Sequence, residues 1–184
     1  PVVSMKNISK SFGDKQVLSN VNFDLHKSEV HALLGENGAG KTTLMNILYG
    51  MFPPSDGTIT INGKTFSNMT PKMAIDAGIG MVHQHFMLIE PLTVTENIIL
   101  GYEEDTGLFL DRKTAREKIS KLSEEYGLMI DPDAKVEDIT VGQQQRVEIL
   151  KALYRGADIL IFDEPTAVSV SYTHLRAHET RGNI

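Results

Sequence analysis

The sequence predicts an α/β fold with a mostly helical insert, and three observations carry that expectation. Short β-rich runs alternate with amphipathic helical stretches along most of the chain. A glycine-rich turn at residues 35–42 joins an apolar run to a helical pattern. From about residue 93 to 155 the pattern becomes mainly helical, before a last apolar run at 159–162.

Residues 2–8 and 17–25 are expected to be strands, separated by the turn-like Phe12-Gly13-Asp14. Residues 29–34 form an apolar run ending at Gly35, the pattern of a parallel strand buried on both faces. Residues 42–51 follow a helical period, with Leu44, Ile47, Leu48 and Met51 on one face. A turn at 53–57 leads into a strand at 58–61, and Asn62-Gly63 is a strong hairpin signal. Thr70-Pro71 opens a short helix that Gly78 closes, and residues 79–82 again read as a strand. In the insert, Asp111 is placed to cap a helix whose stripe is Ala115, Ile119, Leu122 and Tyr126, with Gly127 ending it. Residues 142–155 form a second helix facing the core through Val147, Leu150 and Tyr154. Residues 159–162 are a buried strand, followed by Asp163-Glu164-Pro165.

The 184 residues are enough to bury a core, and a formal charge of −6 argues against a nucleic-acid partner or a polybasic membrane arm. With no cysteine, a disulfide scaffold and a thiolate metal site are excluded. No apolar run approaches the roughly 20 residues needed to span a bilayer. The opening residues show no signal-peptide pattern and no initiator Met, which suggests a piece of a longer chain.

Gly35-Glu36-Asn37-Gly38-Ala39-Gly40-Lys41-Thr42 matches G-x-x-x-x-G-K-[ST], with Thr43 next in the helix. Glycines let the backbone wrap a phosphate chain with its N–H groups inward, and the following helix aims its positive end at the same anion. Lys41 is the residue to reach the terminal phosphates, and the Thr42 hydroxyl the one to ligate Mg²⁺. The competing reading, a simple Gly-rich turn, does not require both the apolar run before it and the amphipathic helix after it. A phosphate-binding P-loop core is therefore expected. At the end of the last strand Asp163 is placed to hold Mg²⁺, and Glu164 to polarise an attacking water. An apolar run meeting two carboxylates is by itself only a strand reaching solvent. The phosphate loop gives the pair its meaning.

Between those motifs, Ile139-Thr140-Val141-Gly142-Gln143-Gln144-Gln145-Arg146 resembles the signature motif of the ABC ATPases, usually written LSGGQ. Thr140 keeps a hydroxyl, Gly142 and Gln143 are intact, and Val141 departs from the pattern. The resemblance covers about residues 2–168 and implies an antiparallel β subdomain and a helical subdomain around the P-loop core, at about 93–155. It implies further that Gln84 reaches Mg²⁺ and that Phe12 stacks on adenine, against the plainer reading of Phe12 as a half-buried loop aromatic. His83 and His85 alternate as a metal pair could, but packing histidines account for them. The run 80–88, with Val94-Thr95-Glu96-Asn97, is similar to the ATPase subunits of bacterial importers of nucleosides and simple sugars.

The resemblance implies ATP and Mg²⁺ as cofactors. It implies two cassettes closing head to tail, Thr140, Gly142 and Gln143 of one meeting the γ-phosphate held by the other. It also implies a membrane permease as partner and a place on the cytoplasmic face of the membrane. The alternatives are a soluble ABC-type ATPase of translation or repair, and an inactive fragment. After Val168 the resemblance stops: residues 169–180 look like one reading frame of a sequencing adapter, so residues 169–184 are expected to be a tail with no evolved role. His174 and His178 could share a helix face as metal ligands, but their context matches no family position. The family would continue with a further strand and a switch histidine. Losing buried Val, Ile or Leu side chains at about 1.5–3 kcal/mol each predicts a chain that folds poorly and turns over ATP slowly, if at all.

Overall fold

The computed structural model describes residues 1–83, 87–101 and 112–163. The chain divides into two compact units, residues 1–79 and 80–184.

The first unit is built on a four-stranded sheet in the order β2-β1-β3-β4. Strands β1 (Val3–Phe12) and β2 (Lys15–Leu25) occupy the two expected β-rich runs but extend beyond residues 8 and 17 to pair as a long antiparallel hairpin turning at Gly13-Asp14. Strand β3 (Asp56–Ile61) pairs antiparallel with the other edge of β1, placing Val3 between Leu25 and Ile61 and Met5 between Phe23 and Ile59. Strand β4 (Lys64–Phe66) follows through Asn62-Gly63, both at positive φ, as a tight hairpin turn requires. Val3, Met5, Ile8, Ile59 and Ile61 are fully buried and form the core face of this sheet.

Helix α1 (Lys41–Tyr49) buries Leu44, Ile47 and Leu48. Met51, expected on that face, lies beyond the Gly50 cap and is half exposed, because the helix stops before it can join the stripe. Helix α2 (Pro71–Asp76) begins as expected, with the Thr70 hydroxyl accepting from the Met73 N–H.

One expected strand is missing. Residues 29–34 are irregular, and Val30 and Leu34 are 91% and 93% exposed. A parallel strand exists only through ladders to its neighbours, and its apolar side chains gain nothing without a sheet to cover them. No described strand pairs with this segment.

The second unit holds β5 (Ile79–Val82) from Gly80 onward, hydrogen-bonded to β6 (Ile159–Phe162), and helices α3 (Val94–Ile99), α4 (Arg112–Glu125) and α5 (Val141–Tyr154). Strand β5 packs so tightly on the end of α5 that a Cβ at Gly80 would lie 2.7 Å from Ala152 Cβ. The helices share a core of Val94, Ile98, Ala115, Ile119, Val147, Leu150 and Tyr154, which contains the predicted α5 face. On α4, Ala115 and Ile119 are buried as expected, but Tyr126 lies past the helix end and is exposed; Ser123 takes the buried position instead. The cap expected at Asp111 lies outside the described residues.

Helix α3 starts in a capping box. Thr93 Oγ1 accepts from the Glu96 N–H at 3.1 Å, and Glu96 Oε2 accepts from the Thr93 N–H at 2.8 Å. The Thr93 N–H and hydroxyl hold the Glu96 carboxyl below its ordinary value of 4.5 against the opposing effect of burial, with the Arg112 guanidinium adding a smaller pull. A depressed folded value means that this stabilisation is complete above the unfolded value and is lost as pH falls through the folded one. Unfolding by urea should therefore show a helical-unit midpoint that drops between pH 6 and pH 3, and Glu96→Gln should flatten that part of the dependence. Thr93→Ala should cost about 1 kcal/mol at neutral pH.

Candidate functional site

The glycine-rich loop runs from Gly35 into the first turn of α1. The Ala39 N–H donates to the Glu36 carbonyl at 3.1 Å, closing a turn, and both Gly38 and Gly40 adopt the left-handed conformation. Gly40 is the N-cap of α1, with its carbonyl accepting from the Leu44 N–H at 2.9 Å. Two constraints meet there. Its φ of 88° is strained for any L side chain, and a Cβ would fall 2.6 Å from Leu18 Cδ2. The loop is thus pressed onto β2, the strand returning from the Phe12 turn.

Lys41 Nζ donates to the carbonyls of Gly35 at 2.7 Å and Glu36 at 3.0 Å, so the ammonium lies across its own loop. An ammonium carries three donors, of which these bonds use two. The loop, the helix start and the cation converge on one short stretch of backbone, a cradle for an anion. Glu36, Asn37 and Ala39 are exposed along it, Thr42 is exposed on the first turn of α1, and Thr43 beside it is half-buried.

Phe12 ends β1 and is 49% exposed. Its ring meets Phe52 edge to face at 5.4 Å, and Lys10 Nζ stands 5.2 Å from both ring centroids while donating to the Pro53 carbonyl. The Phe52 partner escapes a linear reading, because helix α1 separates it from Phe12 in sequence.

In the second unit Thr140 is the N-cap of α5 and forms a second capping box. Its Oγ1 accepts from the Gln143 N–H at 3.3 Å, and Gln143 Oε1 accepts from the Thr140 N–H at 2.9 Å and its hydroxyl at 3.1 Å. Val141 projects outward at the first helical position, half exposed, followed by half-buried Gly142. The departure at position 141 therefore costs no packing. The box is visible in the sequence as T-x-x-Q, a signal that the motif reading passed over.

Position is given to this helix start by a backbone seam. Val94 and Thr95 N–H groups donate to the Ala134 and Pro132 carbonyls, and Val136 N–H donates to Leu92, leading through a 3₁₀ turn (Val136–Asp138) to Thr140. Asp163 follows β6, half-buried, with its N–H donating to the Val82 carbonyl at 3.1 Å. Gln84 and Glu164 lie outside the described residues. Asn97, read in the sequence only as part of a motif run, and Glu148, which the sequence reading passed over, are buried in α3 and α5; their signal is a polar residue inside an otherwise apolar helix face.

Comparison with known proteins places this geometry. A family model described as ABC transporter matches residues 18–167. The chain is 62% identical to the nucleoside import ATP-binding protein NupA of Lactococcus lactis over 91% of its length, and 56% identical to the guanosine import ATP-binding protein NupO of Bacillus subtilis. It spans 33% of the length of each of these two. A ribose import ATP-binding protein, RbsA 2 of Escherichia coli O157:H7, is 43% identical over 95% of this chain and 35% of its own. Among solved structures, an ATP-binding cassette of an ABC transporter in its ADP conformation superposes with a TM-score of 0.79 at 27% identity, covering 92% of this chain and 70% of the other. A nucleotide-free cassette gives 0.79 at 26% identity, covering 94% and 72%.

The Gly40 geometry yields a direct test. Gly40→Ala should destabilise the first unit by roughly 1–2 kcal/mol from backbone conformation alone and displace Leu18. Nucleotide affinity, read by fluorescence titration, should fall further than the loss of folded protein accounts for.

Proposed function

The chain belongs to the ABC transporter family and carries, in part, the fold of its ATP-binding cassettes, and from that premise we propose that it binds ATP with Mg²⁺ and powers an importer of nucleosides or simple sugars. The observation that carries the nucleotide reading is the Lys41 ammonium lying across a loop of left-handed glycines at the start of α1. The import reading draws on relatives whose names describe nucleoside, guanosine and ribose import. Among the described residues no helix is long and apolar enough to cross a membrane. The proposed partner is a membrane permease, a reading supported by membership of the ABC transporter family.

The chemistry follows from the residues. The loop N–H groups and the N-terminus of α1 surround the phosphates with positive partial charge. Lys41 exchanges its carbonyl contacts for charge-assisted bonds to phosphate oxygens, which are about twice as strong. The Thr42 hydroxyl, the Gln84 amide oxygen and the Asp163 carboxylate are hard oxygen donors, the set that suits Mg²⁺. Mg²⁺, when bound, neutralises charge developing on the transferred phosphoryl group. Glu164 orients the attacking water and takes its proton. Phe12 offers an exposed ring to adenine. Thr140, Gly142 and Gln143 complete the site of a partner cassette in a head-to-tail dimer, so ATP favours the closed pair by binding it better than the open one.

Residues 169–184 are proposed to have no role in this function, a reading supported by the family match ending at residue 167. Sequencing the source DNA beyond the codon for Val168 should reveal a different continuation. A soluble ATPase of translation or repair is the second reading, and the net charge of −6 weighs against a nucleic-acid partner.

In the whole polypeptide that carries this chain, Lys41→Ala should weaken ATP binding by about a hundredfold or more. Glu164→Gln should keep binding, abolish turnover and accumulate an ATP-bound dimer visible by gel filtration. Equal loss of binding in both variants would show that the two roles are wrongly assigned.

A further inference from the structure

Residues 87–89 follow Gln84 closely in sequence and are held by side chains that the ATPase mechanism above does not use. Glu148, within the apolar run Val147–Leu150 of α5, is only 6% exposed, and its Oε1 accepts from the Met87 N–H at 3.0 Å. Asn97 of α3 is 1% exposed. Its Oδ1 accepts from the Ile89 N–H at 2.7 Å, while Nδ2 donates to the carbonyls of Ile89 at 3.0 Å and Thr93 at 3.0 Å.

The side chains of this segment do little of the holding. Leu88 packs against the helical core, but Met87 and Ile89 are 69% and 43% exposed. What fixes the segment is its backbone, gripped from two helices. Burying a carboxylate in an apolar helix face is unfavourable unless it is hydrogen-bonded. A Leu or Met at position 148 would fill the same space without that cost, so packing alone does not account for a glutamate there.

We propose that Glu148 and Asn97 are positioning residues that lock the backbone of residues 87–89 to α5 and α3. Residues 87–89 are thereby fixed to the helix that begins at Thr140. This inference rests on the proposed role of Gln84 at the nucleotide. It adds which groups attach residues 87–89 to the helices: a carboxylate from α5 and a carboxamide from α3, acting on the backbone.

The test compares Glu148→Met, which keeps the volume and removes the acceptor, with Glu148→Gln, which keeps an acceptor oxygen. Both are made in the whole polypeptide, with active sites counted by nucleotide titration. Glu148→Met should stay folded at the assay temperature, its melting temperature lowered by no more than the loss of one backbone hydrogen bond. Its Met87 amide should lose about tenfold in hydrogen-exchange protection, and kcat per site should fall about tenfold with KM for ATP within about twofold. Glu148→Gln should restore both protection and kcat. A Glu148→Met variant with undiminished kcat per site, or one whose loss of activity only tracks a lower melting temperature, would overturn the inference and leave the ATPase reading intact. An unsubstituted protein with no ATP turnover would overturn that reading, and this inference with it.

Discussion

Both features proposed to face an anion are helix starts, and a helix start can present N–H groups in a fixed direction only if the far side of the helix is anchored. That anchoring is apolar burial. Helix α1 is seated by Leu44, Ile47 and Leu48, and α5 by Val147, Leu150 and Tyr154. A fully buried Leu or Ile contributes about 1.5–3 kcal/mol, whereas a cap contributes about 1 kcal/mol. Packing therefore decides which way each helix points, and capping decides at which residue it begins. At Gly40 the two are joined, because the capping glycine is also the point where the loop touches Leu18. At Thr140 they are separate: the box sets the start, and the seam between residues 92–95 and 132–136 sets the place.

The same distinction separates what the sequence discloses from what it hides. The β1–β2 hairpin, the Asn62-Gly63 turn, the Thr70-Pro71 helix start and the α5 stripe all follow from residues near one another in the chain. The segment at 29–34 has the composition of a buried strand, yet Val30 and Leu34 are almost wholly exposed. Composition reports that a strand would be favourable if a sheet surrounded it, and a strand's ladder is made with distant residues. Met51 and Tyr126 fail for a smaller reason of the same kind. Each continues a helical period by one step beyond the residue at which the helix stops.

The candidate site divides in the same way. The glycine-rich loop was legible as a turn into a helix because its glycines, lysine and helix are contiguous, and the fold that surrounds it was legible through the motifs arranged along the chain. The Phe12–Phe52 contact was not, since it needs the β1–β3 pairing that brings Ser9 opposite Asp56. Asn97 and Glu148 were hidden differently. A single polar residue in an apolar helix face reads equally well as a poorly placed surface residue, and only its partners, the backbone of Ile89 and Met87, reveal its purpose.

Thr140 and Gln143 show how one pair of residues can serve folding and function in turn. In the structure each satisfies the other: the hydroxyl hydrogen points to Gln143 Oε1, and the hydroxyl oxygen accepts from the Gln143 N–H. On the proposed reading the same hydroxyl must reach a phosphate oxygen held by a partner cassette. A neutral hydrogen bond at an exposed helix end contributes about 0.5–1.5 kcal/mol, and one to a charged acceptor about 1.5–3 kcal/mol. Turning the hydroxyl hydrogen from Gln143 to phosphate is therefore downhill when the anion is present and costly when it is absent. The Gln143 N–H bond to the hydroxyl oxygen can persist through that exchange, so the helix keeps a cap in both states. A residue lacking the hydroxyl could not make this exchange, which gives a physical reason for threonine to stand where the motif has serine while alanine would not serve.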